Sequence, residues 1–313
     1  MTGRLERAEA WLLRALADRC DDAQVAWAEE RAAEIRAGGV DDGRFAQLLS
    51  LASRFSPRGP LDASLERLAG AASVLEGWNP ERWTALETVR VRLVVARALA
   101  DDATLPDAIE EAFRYADEGE LCALYRSLQL FPGPERFVWR AGEGCRTNMR
   151  SVFEANACDT AFPVAHLDDV AWRQLCVKAL FVEAPLWRVH GLDGRIDSEL
   201  TRMVLDLVDE RRSAGRPIYP ELWLCLGHEP SERALASVET ELAGDDELSR
   251  KGAILALGRM GETDRLREIE RDGGSTFSPV ADWALLGRHD QAAFAAISIP
   301  EGAVPQSASA PAS

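Results

Sequence analysis

Long apolar runs are missing from this 313-residue sequence: no stretch approaches the roughly 20 apolar residues that a membrane-spanning helix needs. Residues 1–20 are amphipathic and lack the apolar core and cleavage site of a secretory signal. No run of five Lys or Arg residues occurs, and the net charge of −16 would repel a phosphate backbone. We therefore expect a cytoplasmic protein with no direct membrane insertion and no nucleic-acid partner.

Cysteine, histidine and lysine are also scarce. The six cysteines form no C-x-x-C pair and the four histidines no H-E-x-x-H motif, so no zinc-binding pattern and no disulfide framework is present. We expect no metal and no cofactor. Lys178 and Lys251 are the only lysines among 36 Lys and Arg residues, which singles both out for attention.

Strand patterns are nearly absent, whereas apolar residues recur with the spacing of amphipathic helices along most of the chain. Gly and Pro clusters, such as residues 56–60, separate these helical segments. Near the C-terminus, residues 251–261 (KGAILALGRMG) resemble the second helix of a HEAT repeat. The pattern predicts an all-α protein, an α-solenoid-like stack of antiparallel helix pairs with HEAT-like C-terminal repeats.

Composition divides the chain into four parts. They are an N-terminal helical segment (1–55), a helical core (56–228), HEAT-like helix pairs (229–298) and a Pro-, Ala- and Ser-rich tail (299–313) that we expect to be disordered. Within the core, a helix should follow Asn79-Pro80 and run to about Ala100. The helix over residues 168–184 is apolar nearly all round, which predicts a central position and burial on most sides.

Residues 145–166 (CRTNMRSVFEANACDTAFPVAH) are unusually polar for a helical protein. Asn and Thr are mediocre helix formers that favour caps and local backbone bonds, so a plain solvent face would not need them. Two interpretations stay open: the wall of a polar pocket, or a capped connector between two helical halves. Arg150 and Glu154 have the i, i+4 spacing of a helical ion pair.

Lys178 lies in the apolar helix over residues 168–184, one turn after Gln174. Because Lys is rarely buried without a partner, three roles are open: contact with an anionic ligand, a Schiff base, or an ion pair with Glu183 or Asp159. The ion pair is the favoured interpretation, with the lysine stem packed and its charged head near solvent.

Other polar and aromatic residues near this helix also have two interpretations. Trp172 is expected in the core, with the wall of a ring-shaped ligand site as the alternative. Arg188, Asp193 and Arg195 could bind an anion. The alternative is a local ion pair between Asp193 and Arg195 across a turn. Asp168 is expected to cap the helix that follows it, because nothing in the spacing supports a metal site.

Several segments of the central region combine residue types, order and spacing in an unusual way. They are residues 144–148 (GCRTN), 152–155 (VFEA), 172–181 (WRQLCVKALF), 191–193 (GLD) and 220–223 (PELW), with 78–83, 124–128 and 132–135 upstream. Over roughly residues 60–225 this combination resembles the EboA family. Two positions depart from the family pattern: Gln174 replaces an expected Asn, and Arg188 follows Trp187 where a Tyr is expected before the Arg.

The resemblance implies a bacterial protein of a small operon for metabolite biosynthesis and traffic. Its operon companions would resemble a metal-dependent hydrolase, a membrane-type prenyltransferase, a sugar-phosphate cyclase and a TIM-barrel isomerase-like protein. The resemblance makes these enzymes its expected partners, alongside a small polar metabolite.

Two hypotheses follow from the residues and the resemblance. The favoured one is a non-enzymatic binding or scaffold protein that holds a small polar or phosphorylated metabolite, or enzymes of its operon. Its ligand-binding candidates are Asn148, Arg150, Glu154, Asn156, Asp159, Trp172, Gln174, Lys178 and Arg188. The alternative is an enzyme with Lys178, Glu154 and Asp159 as acid/base groups, which requires these side chains to converge in one pocket. No residue is assigned a catalytic role.

Overall fold

A computed structural model of the protein describes residues 2–227 and 231–298. Within these ranges it contains eighteen α-helices, joined by turns and short 3-10 helices, and no β-strand. The all-α prediction is confirmed. The tail predicted to be disordered (residues 299–313) lies outside the described residues, as does the predicted domain boundary at residues 228–229.

The chain separates into two compact units, residues 1–172 and residues 173–313. The four-part division predicted from composition stays a prediction. Among the described helices, none combines the length and the hydropathy that a membrane span requires.

The N-terminal unit consists of ten helices and the first residues of the next one, as far as the described residues go. In chain order they are α1 (Thr2–Arg19), α2 (Asp22–Arg36), α3 (Asp42–Phe55), α4 (Leu65–Val74), α5 (Ala85–Ala100), α6 (Leu105–Tyr115), α7 (Glu118–Ser127), α8 (Val138–Gly144), α9 (Arg150–Ala157), α10 (Phe162–His166) and α11 (Asp169–Phe181). The side chains of Asp41, Ser64 and Asp117 accept backbone N–H groups of the turn that follows them and so fix three of these starts.

Helix α5 is the centre of the N-terminal unit. It packs against α1, α2, α3 and α7, and every residue from Ala85 to Ala98 except Glu87 is buried. The buried residues include Arg90, Arg92 and Arg97. A buried guanidinium group is costly unless protein groups accept its hydrogen bonds, so each of these arginines needs partners within the fold.

The start of α5 corrects the sequence prediction. Thr84 and Glu87 form a reciprocal capping box, in which each side chain accepts the backbone N–H of the other residue. Asn79 instead accepts the backbone N–H of Glu81 in a preceding turn. The helix therefore begins at Ala85 and not directly after Asn79-Pro80. The predicted end near residue 100 is confirmed.

Helix α11 also differs from its prediction. Trp172 and Leu175 are buried, but Val170 is 60% exposed, Phe181 is 57% exposed and Gln174 is exposed as well. Burial on most sides is wrong for this helix, because apolar composition alone does not ensure that every side chain finds a packing partner. The helix buried on all sides is α5, whose sequence contains three arginines.

The C-terminal unit starts within α11 and continues through α12 (Ser198–Ser213), α13 (Glu221–Leu224), α14 (Glu232–Leu242), α15 (Glu247–Met260), α16 (Thr263–Asp272), α17 (Gly274–Leu285) and α18 (Gln291–Ser298). Helix α15 is its centre and packs against α13, α14, α16, α17 and α18. Gly252 allows the approach to α13, because an added Cβ would lie 2.7 Å from the Cβ of Pro220. The HEAT-like pairing of these helices stays a prediction.

Candidate functional site

The polar segment 145–166 folds mainly into the short helices α9 and α10. On α9, Arg150 Nε donates a hydrogen bond to Glu154 Oε1 at 2.7 Å, which confirms the predicted ion pair. The Arg150 side chain is 54% exposed, so this pair lies at the surface and contributes little to stability.

Asn156 lies on the opposite, buried face of α9. Its Nδ2 donates to the carbonyl of Ala141 at 3.0 Å and lies 3.4 Å from Cys145 Sγ. Gly144 is in tight contact with this group, because an added Cβ would lie 2.7 Å from both Asn156 Cγ and Tyr125 Cε1. These contacts give the GCRTN segment a packing role at its first residue.

Asn148 and Asp159 occupy irregular backbone on either side of α9. Asn148 is exposed. Asp159 has φ 58°, a left-handed conformation that is uncommon outside glycine, and its carbonyl accepts the backbone N–H of Asn79 at 3.1 Å. The connection after α9 is therefore held by a backbone bond to the turn that precedes α5.

The candidates on α11 and beyond divide between the two units. Asp168 caps α11 as predicted, since its Oδ1 accepts the N–H of Ala171 at 2.8 Å. Trp172 is 1% exposed and belongs to the core, as predicted. Lys178 is half-buried. Lys178 falls in the C-terminal unit, whereas Glu154 falls in the N-terminal unit, so a joint acid/base site stays a hypothesis.

Arg188 is half-buried at the end of a 3-10 turn, next to the Gly-Leu-Asp segment. Asp193 of that segment binds Arg259 Nη1 at 2.8 Å and accepts the backbone N–H of Gln291 at 3.0 Å. Gln291 Nε2 in turn donates to the carbonyls of Trp187 and Val189 at 3.0 and 2.7 Å. Asp193 thus ties the loop to α15 and α18, which is a structural use of the motif.

A pocket of about 440 Å³, with several charged side chains in its lining, opens in the N-terminal unit beside α5, α7 and α9. Its polar lining includes Arg58, Thr84, Glu87, Arg90, Glu118 and Ser151. From the polar segment 145–166, only Ser151 is part of this lining. The volume lies within the range of small-molecule sites, roughly 300–1,000 Å³. We refer to this feature as the polar pocket.

Arg90 is the most buried charged residue in the lining of the polar pocket. Its side chain is 4% exposed; Nε donates to the carbonyl of Leu49 at 3.0 Å, and Nη2 to Glu120 Oε1 at 3.4 Å. Asp117 Oδ2 lies 3.8 Å from the same Nη2. In the described residues, Nη1 has no hydrogen-bond partner, although the group around it is buried.

Gly119 determines the surroundings of this free nitrogen. The residue lies in the first turn of α7 and lines the polar pocket, and an added Cβ would be 2.8 Å from Arg90 Nη1. Any other residue would therefore push the guanidinium group aside. The combination of Gly119 and Arg90 leaves one strong hydrogen-bond donor at the pocket wall.

The remaining polar groups of the pocket are mostly engaged. Glu87 Oε2 accepts the N–H of Thr84 at 2.7 Å and lies 3.3 Å from Arg126 Nη1. Ser151 Oγ donates to Glu118 Oε1. Arg58, at the rim, is exposed and has no ion-pair partner among the described residues. The pocket thus offers one buried and one exposed cation, together with carboxylate acceptors.

Cys122, which also lines the pocket, is not a nucleophile at neutral pH. Burial raises the pKa of its thiol to about 11, so the reactive thiolate is a very small fraction. Cys122 therefore provides no activated nucleophile in this pocket.

Sequence reasoning missed Arg90, although a signal for it exists. The segment 89–98 is apolar except for arginines at 90, 92 and 97, and a charge within a continuously apolar helix indicates a buried, partnered group. The ligand roles predicted for Asn148, Gln174, Lys178 and Arg188 stay predictions.

In a comparison with protein families, the model described as "Metabolite traffic protein EboA" matches residues 8–227. This range includes all residues of the polar pocket and begins further towards the N-terminus than the resemblance in sequence had indicated. Neither the comparison with curated proteins nor that with solved structures gave a match.

Proposed function

Because the chain belongs to the EboA family of metabolite traffic proteins, we propose that its N-terminal unit binds a small polyhydroxylated metabolite in the polar pocket and carries it chemically unchanged. The free Nη1 of Arg90 is the observation that carries this proposal. A ligand oxygen that accepts a hydrogen bond from this charged group would form a contact worth about 1.5–3 kcal/mol.

The charges of the pocket favour a neutral polyol over a phosphorylated ligand. The lining contains the cations of Arg58 and Arg90 and the carboxylates of Glu87, Asp117 and Glu118. A phosphate would bring up to two further negative charges close to these carboxylates, in a chain of net charge −16. Hydroxyl groups suit the site better, because they donate to carboxylates and accept from guanidinium groups.

A carrier role also agrees with how the polar groups are used. Glu87 is held by the capping box of α5, and Cys122 is protonated at neutral pH. The alternative, an enzyme with Lys178, Glu154 and Asp159 as acid/base groups, is less well supported, because Glu154 is already bound to Arg150 at the surface.

The protein would work in a bacterial cytoplasm, beside operon-encoded enzymes that make or receive the metabolite. The predicted HEAT-like helix pairs would provide a helical surface for such enzymes. The family description supports the traffic role.

Binding of myo-inositol, a neutral polyol, tests the proposal against myo-inositol 1-phosphate by saturation-transfer NMR and titration calorimetry. We expect the polyol to bind and to be recovered unchanged, and the phosphate to bind more weakly. In the Gly119→Ala variant the new methyl group displaces Arg90 Nη1, and we expect at least about a tenfold loss of polyol affinity.

Gly142→Ala is the matched control for this variant. Nothing lies within 4 Å of a Cβ added at Gly142 in α8, so its affinity should equal that of the wild type. Equal polyol affinity in the Gly119→Ala protein and the wild type would remove the support for the pocket. Conversion of the polyol into a product would favour the enzyme hypothesis instead.

A further inference from the structure

A second cavity lies entirely within the C-terminal unit, outside the range of the family match. It has a volume of about 530 Å³ and is bordered by the end of α14, the middle of α15, and the α16–α17 connection. We refer to it as the arginine cavity, because Arg250, Arg265 and Arg271 all line it.

The floor of the arginine cavity is apolar. Leu242, Ile254, Ile269 and Phe277 line it, and Ile254 is almost completely buried. Side chains of this kind favour a ligand that has an apolar body, because its transfer out of water is stabilising.

Arg250 lines the cavity next to this apolar floor and has no counter-ion among the described residues. Its guanidinium group stacks over the ring of Phe277, with Cζ 4.1 Å from the ring centroid. Its Nε is buried without a hydrogen-bond partner, and no described residue forms an ion pair with the side chain. The group is therefore positioned by stacking while its hydrogen-bonding capacity is unused.

Arg271 is the second cation without a counter-ion. It is exposed at the rim of the cavity, and no described residue pairs with it. Arg265 differs, because its Nε lies 2.9 Å from Glu239 Oε1 and its Nη1 lies 2.9 Å from Glu268 Oε2. Two arginines are thus open to a ligand, and the third is neutralised within the fold.

The net charge of the side chains that have no ion-pair partner indicates the class of ligand. Besides the two open arginines, Asp272 lines the cavity with a carboxylate that no described residue pairs, which gives the open groups a net charge of about +1. We infer that the arginine cavity binds a small organic anion with a single negative charge and an apolar body, such as an aryl or branched-chain carboxylate. The carboxylate would lie between Arg250 and Arg271, and the apolar body would lie on the floor.

This site would differ from the polar pocket in chemistry as well as in position. In the polar pocket carboxylates outnumber arginines, whereas the open groups of the arginine cavity are mainly cationic. The two proposals are independent, because they rest on different units and use different probes.

Benzoate is a suitable probe, with benzyl alcohol as the neutral analogue of similar size and inorganic phosphate as an anion without an apolar body. The full-length protein, labelled with ¹³C at the isoleucine δ1 methyl groups, is titrated with each compound. We expect benzoate to shift the methyl resonances of Ile254 and Ile269, and to bind at least about tenfold more tightly than benzyl alcohol or phosphate.

Two variants separate the role of the open arginines from general effects. Arg250→Gln and Arg271→Gln should each weaken benzoate binding about tenfold, because each removes one charge-assisted contact. Since Arg271 is exposed, its variant should fold even if Arg250→Gln does not. Arg267→Gln is the control on the same helix, because Arg267 is 65% exposed and lies 3.6 Å from Asp264.

Benzoate binding by the wild type and the variants either supports or overturns the arginine cavity as a binding site. Loss of benzoate binding in Arg271→Gln, with normal binding in Arg267→Gln, supports the site. Three results overturn it: no shift of the two isoleucine methyl groups, equal binding of benzoate and benzyl alcohol, or equal weakening in the Arg267→Gln control. Phosphate binding as tight as benzoate binding would overturn the role of the apolar floor.

Discussion

Arg90 of α5 and Arg259 of α15 hold equivalent positions in the two units but have different uses. Each lies on the central helix of its unit, with side chains 4% and 2% exposed. Arg259 donates to the carbonyls of Leu226 and His289 and to Asp193, whereas Arg90 retains a nitrogen without a partner beside a pocket. A buried arginine thus stabilises the fold where the fold uses its donors, and it can recognise a ligand where one donor is left open.

The largest loss of stability is expected from Arg259→Met. The change removes two carbonyl contacts and leaves Asp193 without its cation. Because the Asp193 side chain is 35% exposed, the cost should lie at the lower end for a broken buried pair, about 3 kcal/mol. Urea unfolding followed by circular dichroism measures the loss. The control is Arg202→Met, because Arg202 is an exposed residue whose variant should unfold near the wild-type midpoint. A wild-type midpoint for Arg259→Met would contradict a structural role for this arginine.

Arg90→Met should cost less, about 2 kcal/mol, because its contact with Glu120 is long at 3.4 Å and one nitrogen has no partner to lose. The same substitution should abolish polyol binding, which Arg259→Met should leave intact at temperatures where that variant is folded. The double variant Arg90→Met with Glu120→Gln should regain part of the stability, since the buried carboxylate is then neutral. No recovery in the double variant would show that Glu120 is not the group left unpaired.

Gly144→Ala should be destabilising by about 1.5 kcal/mol, because the new methyl group meets Asn156 and the ring of Tyr125 in a packed interior. Gly119→Ala should cost less, since its methyl group meets the end of one arginine side chain closely, whereas the methyl group at residue 144 meets two packed side chains. Thermal unfolding of both variants, with Gly142→Ala as reference, measures the difference. A larger loss for Gly119→Ala than for Gly144→Ala would reverse the roles assigned to the two glycines.

The sequence predicts the helical class and many local features, because both depend on neighbouring residues. Periodicity indicates the helices, and short-range patterns indicate the cap at Asp168 and the pair between Arg150 and Glu154. The sequence predicts too early a start for α5 because two capping patterns compete, Asn79-Pro80 and Thr84 with Glu87, and only the second forms a helix cap.

The polar pocket depends instead on contacts between distant residues. Arg90 has an open nitrogen only because α7 passes over it at Gly119, and Ser151 joins the lining only through the packing of α9 on α7. The polar segment 145–166 is unusual in composition, yet Asn156, one of its two most buried polar residues, serves packing. Which polar residue faces a cavity is a property of tertiary structure that periodicity does not specify.

The smallest loss of stability is expected at the ion pair between Asp197 and Arg173, which is more exposed than the Asp193–Arg259 pair. Asp197 accepts hydrogen bonds from Arg173 and caps α12 through the N–H of Leu200. The hydrogen bond from Arg173 is the main cause that lowers the pKa of Asp197 below its usual 3.8. Because the Asp197 side chain is 41% exposed, solvent screening limits the contribution of the pair to below about 1 kcal/mol.

The pH dependence of this contribution follows from the direction of the shift. The carboxylate is favoured in the folded state, so its stabilising effect is complete above 3.8 and is lost as the pH falls through the lowered pKa. Asp197→Asn retains a capping side chain but removes the charge. The variant should therefore be slightly less stable than the wild type at neutral pH and equally stable in strong acid, as measured by urea unfolding at both. A difference that persists unchanged in acid would show that the cap, and not the charge, is what Asp197 contributes.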